Sequence, residues 1–510
     1  MSVRQGSVTV FASLSLLLVA SFLLALLEAA RIHGLEAYSR MHRVNAMESV
    51  LSEYQRDLFD KYGIFLLDGA YGAETLQFSR INERLQSVSQ KNLRPIIPAQ
   101  TWRNVQNFYQ MDVEEASVSG YLLATDDDGA PFRHMAAESM KAQYPVELIK
   151  TMYDGLQSAN HAMNEAQASR SAMDEAQENI RAARERQEKK AAETGKSEED
   201  QTQETAGEPV ENPMDVVRSF KKADILTLVL PSGSRVSTKA ISRDVLRNPM
   251  LEHRVLLQGN EPWQDTGGWY ETMLYQKFLQ VNFGCYGTAH SADGVLDYEL
   301  EYIHAGKLSD RENLRSVVKD LLWLREGANF LYLQTDAVKR EEAYALAASI
   351  AAAAGIIPAT GLIAQGLLAA WAYAESILDV RTLLAGGKIP WMKTGGSWSS
   401  SLSGIGFLLA GSARAKEQED GEDYVGYLQK LLYLKSARTL NYRAMDLMEL
   451  YAHQCGNENL RMDAMIVSLR AELSYEAEPL FSKMVTLQTL QTERFVFTET
   501  VYGSYEPDKK

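Results

Sequence analysis

Eight histidines and two cysteines have the widest metal-binding and nucleophilic repertoire in this sequence, and their spacing gives them little to do together. Zinc chemistry wants imidazoles one helical turn apart, as in His-Glu-x-x-His, or close Cys and His pairs, because the ligands must converge on one tetrahedral ion. No such grouping occurs, and Cys285 and Cys455 are far apart. The serines of GGSWSSS, residues 395–401, lack the Gly-x-Ser-x-Gly elbow that exposes a nucleophile. A phosphate-cradling loop needs a glycine five residues before its Gly-Lys pair; ahead of TGKS that position holds Lys190. The GGK of Gly386–Lys388 runs into Ile389 and Pro390 instead of a hydroxyl residue opening a helix. TDDDG, residues 125–129, lacks the alternating ligands and distant glutamate of a calcium loop, and reads as a tight turn capping the next helix. In LDYELEY, Leu296, Tyr298, Leu300 and Tyr302 alternate with Asp297, Glu299 and Glu301, which predicts a strand with one core face and one solvated acidic face. No catalytic, cofactor-binding or metal-ligating set emerges, so neither a cofactor nor a reaction is assigned.

The elements that would carry such residues begin with an uncharged run from Val8 to Leu27. About 20 apolar residues at 1.5 Å rise span a hydrocarbon core of roughly 30 Å, whereas a cleavable signal has a shorter apolar region and a small-residue cleavage site. Here the run meets LLEAARI and continues as helix, which predicts an uncleaved signal-anchor with Glu28 and Arg31 at the membrane boundary. A seven-residue tail stays in the cytoplasm, so the bulk is expected outside, in a single-pass protein of the cell membrane. The net charge of −15 argues against nucleic acid or an anionic lipid surface as partner, since both need clustered Lys and Arg. Two cysteines are too few for a disulfide framework, although one bridge between them stays open.

Beyond the span, Val44, Met47, Leu51, Tyr54 and Leu58 step by three and four along one helix face, giving a stalk with an apolar side. That side either meets another membrane-anchored helix or packs on the protein's own globular part. Pro95 and Pro98 break the following region, and DVEEASVSGYLLAT reads as strand. Leu156, Ala159, Met163, Ala166, Met173 and Ile180 form a heptad seam, expected as a weak coiled coil or projecting helix. It leads into AAETGKSEEDQTQETAGEPVEN, too polar to offset the cost of ordering, before Asn212 and Pro213 restart a helix as cap and first residue. Ser309 with Glu312 makes a capping box for the helix carrying VVKDLLWLREGANFLYL. From Ala343 to Ala374 there is no charge, but Pro358 divides the tract, which predicts a buried helical hairpin and leaves a second span as the alternative. MIVSLRAELSYEA and RFVFTETVY alternate as strands that complete an antiparallel sheet.

The N-terminal stretch resembles that of TadE/TadG-like pseudopilins of tight-adherence, Flp-type pilus systems: Gly6 and Phe11 match, with Val10 in the place of the acidic residue. The chain as a whole resembles domain-of-unknown-function family 5702 of Gram-positive bacteria, through GSVTVFASLSLLL, LLEAARI, YGIFLLD, LTLVLPSG, YELEYIHAGKLSDRENL, LREGANFLYL, AESILDVRTLLAGGKIPWMKT and YRAMDLMEL. The resemblance implies a setting near pilus or type II-like secretion genes, and no assigned activity.

Together these readings predict a mostly α protein with an α+β ectodomain, comprising an N-terminal transmembrane helix continuing into a stalk, a helical bundle and a small antiparallel sheet. The expected parts are a cytoplasmic tail at 1–7, the anchor at 8–27, the stalk at 28–62 and an α+β part at 63–146. A helical arm and disordered acidic linker follow at 147–213, a second α+β part at 214–342, the Ala-rich hairpin at 343–386, and C-terminal helices and strands at 387–510. The expected role is a non-catalytic structural or accessory component of a pilus-like or secretion assembly, its partners being the lipid bilayer and pilus or secretion-system membrane proteins. A surface enzyme or ligand-binding ectodomain and a multi-span membrane scaffold are the alternatives.

Overall fold

The computed structural model describes residues 3–93, 109–194, 212–242, 246, 248–264, 267–288, 294–481 and 494–505. Pro95, Pro98 and residues 195–211 of the expected acidic linker lie outside the described residues. The chain is mostly helical with one small antiparallel sheet. It divides into two compact units: unit 1 comprises residues 1–136, 255–266 and 451–510, and unit 2 comprises 137–254 and 267–450.

Unit 1 is built on helix α1 (Val3–Leu51), followed by α2 (Arg56–Tyr62), β1 (Leu67–Asp68), α3 (Phe78–Leu93), β2 (Met111–Leu123), β3 (Met465–Ala477) and β4 (Phe495–Ser504). The expected continuous stalk to residue 62 is corrected: α1 ends at Leu51, and α2 is a separate helix stopped by Gly63 at φ 68°, a left-handed conformation that glycine adopts without penalty. β3 is central, with β2 on one side and β4 on the other, all antiparallel, and β1 pairs with the start of β3. Alternation sets the faces. Leu469, Ala471, Leu473, Tyr475 and Ala477 turn inward against Leu35, Met47 and Val50 of α1 and Ile81 and Leu85 of α3, while Arg470 and Glu472 stay exposed. The same period 2 in the sequence is what made these strands legible.

Unit 2 is helical among the described residues. Its principal helices are α4 (Val146–Thr194), α5 (Pro213–Phe220), α6 (Trp269–Asn282), α7 (Glu299–Ala305), α8 (Asp310–Thr335), α9 (Ala337–Ala353), α10 (Thr360–Leu384) and α11 (Tyr424–Tyr433). Asn212 caps α5 by accepting the Met214 N–H at 3.1 Å, and Ser309 caps α8 by accepting the Glu312 N–H. The expected coiled coil is corrected: Leu156, Ala159, Ala166, Met173 and Ile180 are buried, and α4 packs against α8 and α10 instead of projecting. One glycine permits that packing. A Cβ on Gly327 of α8 would stand 1.7 Å from the Ala162 carbonyl oxygen of α4, so only glycine allows the two backbones to approach this closely.

The strand expected at LDYELEY is also corrected. Residues 299–305 form α7, and Glu299 and Glu301 are buried instead of solvated. The alternation over seven residues was accidental: α7 is buried nearly all round, so its carboxylates follow it inward and are met there by hydrogen-bond donors. Glu299 accepts the Gly284 N–H at 3.1 Å, while Glu301 accepts the Tyr286 N–H and the Tyr424 hydroxyl, each at 2.8 Å.

Candidate functional site

Among the described residues, two helices are long and apolar enough to cross a membrane, and their surroundings differ. The apolar window in the Val8–Leu51 part of α1 is 0% buried, while that of Ile357–Leu384, which contains α10, is 67% buried. A mostly buried apolar helix is the behaviour of a core helix, and α9 packs along α10 as its hairpin partner. The first half of α1 is therefore the candidate membrane anchor.

The candidate anchor joins the rest of unit 1 at a charged clamp. From Val8 through Leu27 the side chains of α1 are exposed with few interruptions, and Phe11 is 73% exposed; Glu28 and Arg31 are then buried. Arg31 donates to Glu28 at 2.9 Å, to the Glu478 carbonyl at 2.9 Å and to the Tyr109 carbonyl at 2.5 Å. Glu28 in turn accepts the backbone N–H groups of Leu480 and Phe481. One buried ion pair thus ties the base of the span to the backbone at the end of β3. Gly34 lies just above it, where a Cβ would approach the Tyr109 ring to 2.9 Å, and Tyr109 stacks on Tyr38 at 4.8 Å. Gly6 lies in the first turns of α1.

The apolar stalk face is used inside unit 1. Met47, Leu51 and Leu58 are buried, Tyr54 is half-buried, and Val44 remains 43% exposed. A Cβ on Gly503 of β4 would meet Met47 at 2.4 Å and Leu51 at 2.7 Å, so α1 lies directly on the end of that strand. Arg43 reaches Glu499 at 2.8 Å, and the Tyr505 hydroxyl donates to the Leu51 carbonyl. The side that could have met a neighbouring helix is the side that holds the sheet.

Unit 2 contains the densest polar chemistry, which the sequence reading missed. α8 supplies Arg325 and Asn329, α10 supplies Glu375 and Asp379, and the chain after α10 supplies Lys393. The side chains of Arg325, Glu375, Asp379 and Lys393 are all 0% exposed. Lys393 stands 2.6 Å from Glu375 and 2.7 Å from Asp379, and Arg325 pairs with Asp379 at 2.9 Å while donating to the Trp391 carbonyl and the Tyr427 hydroxyl. Glu375 also accepts the N–H groups of Ser399 and Ser400. Burial works to raise the Asp379 carboxyl, but the Arg325 and Lys393 charges outweigh it and hold it below the usual carboxylate range. Two cations and two anions neutralise one another, and what the set does chemically is lock α8, α10 and the following loop together. Its sequence signal is Glu375 and Asp379, one turn apart in a largely apolar helix, immediately after the uncharged tract.

A second polar centre surrounds Glu301. Burial pushes its carboxyl up to about 7, and pushes the thiol of nearby buried Cys285 up to about 12. Both cysteines are free, and Cys455 is exposed. No group of three or more His, Cys, Asp or Glu side chains among the described residues is placed to hold a metal ion.

Residues 203–477 match the family of unknown function DUF5702, more than half of the chain. The chain belongs to DUF5702. No curated protein matches it, and no solved structure does. The DUF5702 region contains every member of the Arg325–Lys393 lock, the Glu301 centre and strand β3, whereas α1 and β4 lie outside it.

Proposed function

We propose that this protein is a non-catalytic, membrane-anchored, extracytoplasmic structural or accessory component of a pilus-like or secretion assembly. The observation that carries the reading is α1: one uninterrupted helix has an exposed apolar first half, and its second half forms part of the core of unit 1. A flexible tether would leave a folded head free to move. Here no loop separates span from head, and the Glu28–Arg31 clamp fixes the junction, so a displacement of the span is a displacement of the sheet. Such coupling suits a part that works by position within an assembly of membrane helices. Lateral contacts then belong to the exposed face of residues 8–27, not to Met47 and Leu51.

The test uses the protein in its native membranes. Mass spectrometry should recover a peptide containing Glu28, and a photo-crosslinking side chain at Phe11 or Leu18 should yield adducts with other membrane proteins. The same group at Met47 should yield only intrachain products. A mature terminus near Ala30, or lipid adducts alone from Phe11 and Leu18, overturns the assembly role.

A further inference from the structure

A cavity of about 630 Å³ opens beside the last residues of β4, and every residue that lines it belongs to unit 1. Small-molecule sites occupy about 300–1,000 Å³, so the space suits a ligand of that class. Part of its lining is a row across the sheet, where Arg470 of β3 stands between Gly120 of β2 and Tyr502 of β4. Gly120 leaves room for a neighbour. A Cβ there would overlap the carboxylate of Glu261, which pairs with Arg470 at 3.0 Å. Asn260 fixes the loop that brings Glu261, accepting the Tyr121 N–H at 2.8 Å and donating to the Ser119 carbonyl at 3.1 Å. The same loop contributes Trp263, whose ring is set edge-on to His134 at 5.5 Å, and α1 contributes Val44 and Glu48.

We propose that this cavity binds a short oligosaccharide of N-acetylated amino sugars. A pyranose ring has a flat C–H face and a rim of hydroxyls that both donate and accept hydrogen bonds. Trp263 and Tyr502, the latter 55% exposed, offer amphipathic aromatic surface for the C–H face. The Glu261–Arg470 pair offers two planar charged groups for the hydroxyl rim, and hydrogen bonds to charged groups are the stronger ones. Glu48 is exposed and makes no ion pair among the described residues, so its carboxylate is open to hydroxyl or amide donors. Val44, 43% exposed, adds an apolar contact for a methyl group, which an acetamido sugar has and a plain hexose lacks. Other ligand classes fit less well. An apolar ligand would desolvate Glu48 and the Glu261–Arg470 pair with nothing in return, and a polyanion would meet two carboxylates against one guanidinium.

This inference goes beyond the assembly role and fails separately from it, because the experiment reads a soluble sugar in unit 1 and not contacts of the span. The probe is chitotriose, the trimer of N-acetylglucosamine, titrated calorimetrically into the full-length protein in nanodiscs. Saturable binding of one sugar per chain is expected. Cellotriose, which lacks the acetamido groups, should bind roughly tenfold more weakly, the discrimination one missing methyl group gives in an apolar contact. Tyr502→Ala and Glu48→Gln should each weaken chitotriose roughly three- to tenfold. Both side chains are exposed, so the fold is kept, and Tyr344→Ala, on a tyrosine 56% exposed in α9 of unit 2, should leave the affinity unchanged. The absence of saturable binding at millimolar chitotriose overturns the proposal, as does equal affinity for cellotriose. Tighter binding of the cationic glucosamine trimer marks a cation site and overturns it too. So does an unchanged affinity in either Tyr502→Ala or Glu48→Gln, since the sugar then sits elsewhere.

Discussion

Replacing Lys393 with methionine tests whether the buried charges of unit 2 are a balanced lock. Methionine keeps the length and apolar stem of lysine and removes one positive charge. Glu375 is left with the two backbone N–H groups of Ser399 and Ser400, at 3.1 and 2.9 Å, and Asp379 keeps Arg325 and Asn329. Two carboxylates then share one cation in a site with no exposure to water. Removing one partner from a buried ion pair costs about 3–5 kcal/mol, because the remaining charge is neither solvated nor neutralised. That loss corresponds to roughly 10²- to 4 × 10³-fold faster opening of α10, at about 1.4 kcal/mol per factor of ten. Native-state hydrogen exchange of α10 amides at pH 7, on the full chain in nanodiscs, reads it directly. Adding Glu375→Gln to Lys393→Met restores one cation to one anion and should recover about 1–3 kcal/mol, so that the double variant is more stable than the single one. If Lys393→Met costs less than about 1 kcal/mol, or if the second substitution adds its own loss, the charges do not act as a coupled set and the argument fails.

Gly327→Ala should destabilise unit 2 by about 3 kcal/mol or more, because the new methyl group meets the backbone of α4 at 1.7 Å and the two helices must separate; an unchanged thermal midpoint for unit 2 would refute the close crossing. Glu301 makes stability depend on pH in a stated direction. Its folded carboxyl titrates at about 7 against 4.5 for the free group, so between those values the folded state holds a proton the unfolded chain has lost. Stability therefore falls as pH rises through that window and levels off above it, by up to about 1.4 kcal/mol per pH unit for this group. Glu301→Gln should reduce the slope without abolishing it, since burial also pushes Asp446 up to about 7; denaturation midpoints from pH 5 to 8 measure it, and an unchanged slope refutes the assignment.

Periodicity and local caps by themselves determined the long apolar helix that is the candidate anchor, the strands and several helix starts. An uncharged run from Val8 to Leu27 has few fates, strict alternation in MIVSLRAELSYEA selects one face of a sheet, and Asn212 and Ser309 cap through bonds spanning two or three residues. These features depend on neighbours in sequence, so the sequence contains all their terms. Tertiary structure alone decided the fate of residues whose energy depends on a distant partner. Met47 and Leu51 form an apolar stripe whether they meet a second protein or Gly503 of β4, and only the folded chain chooses. Glu299 and Glu301 read as a solvated strand face because the donors that make their burial affordable, at residues 284, 286 and 424, are remote from them in sequence. The Arg325–Lys393 lock is the strongest case. A charge inside an apolar helix costs several kcal/mol alone and is stable when paired, and the pairing of α8 with α10 and the loop beyond is a property of the packed unit, not of any one segment.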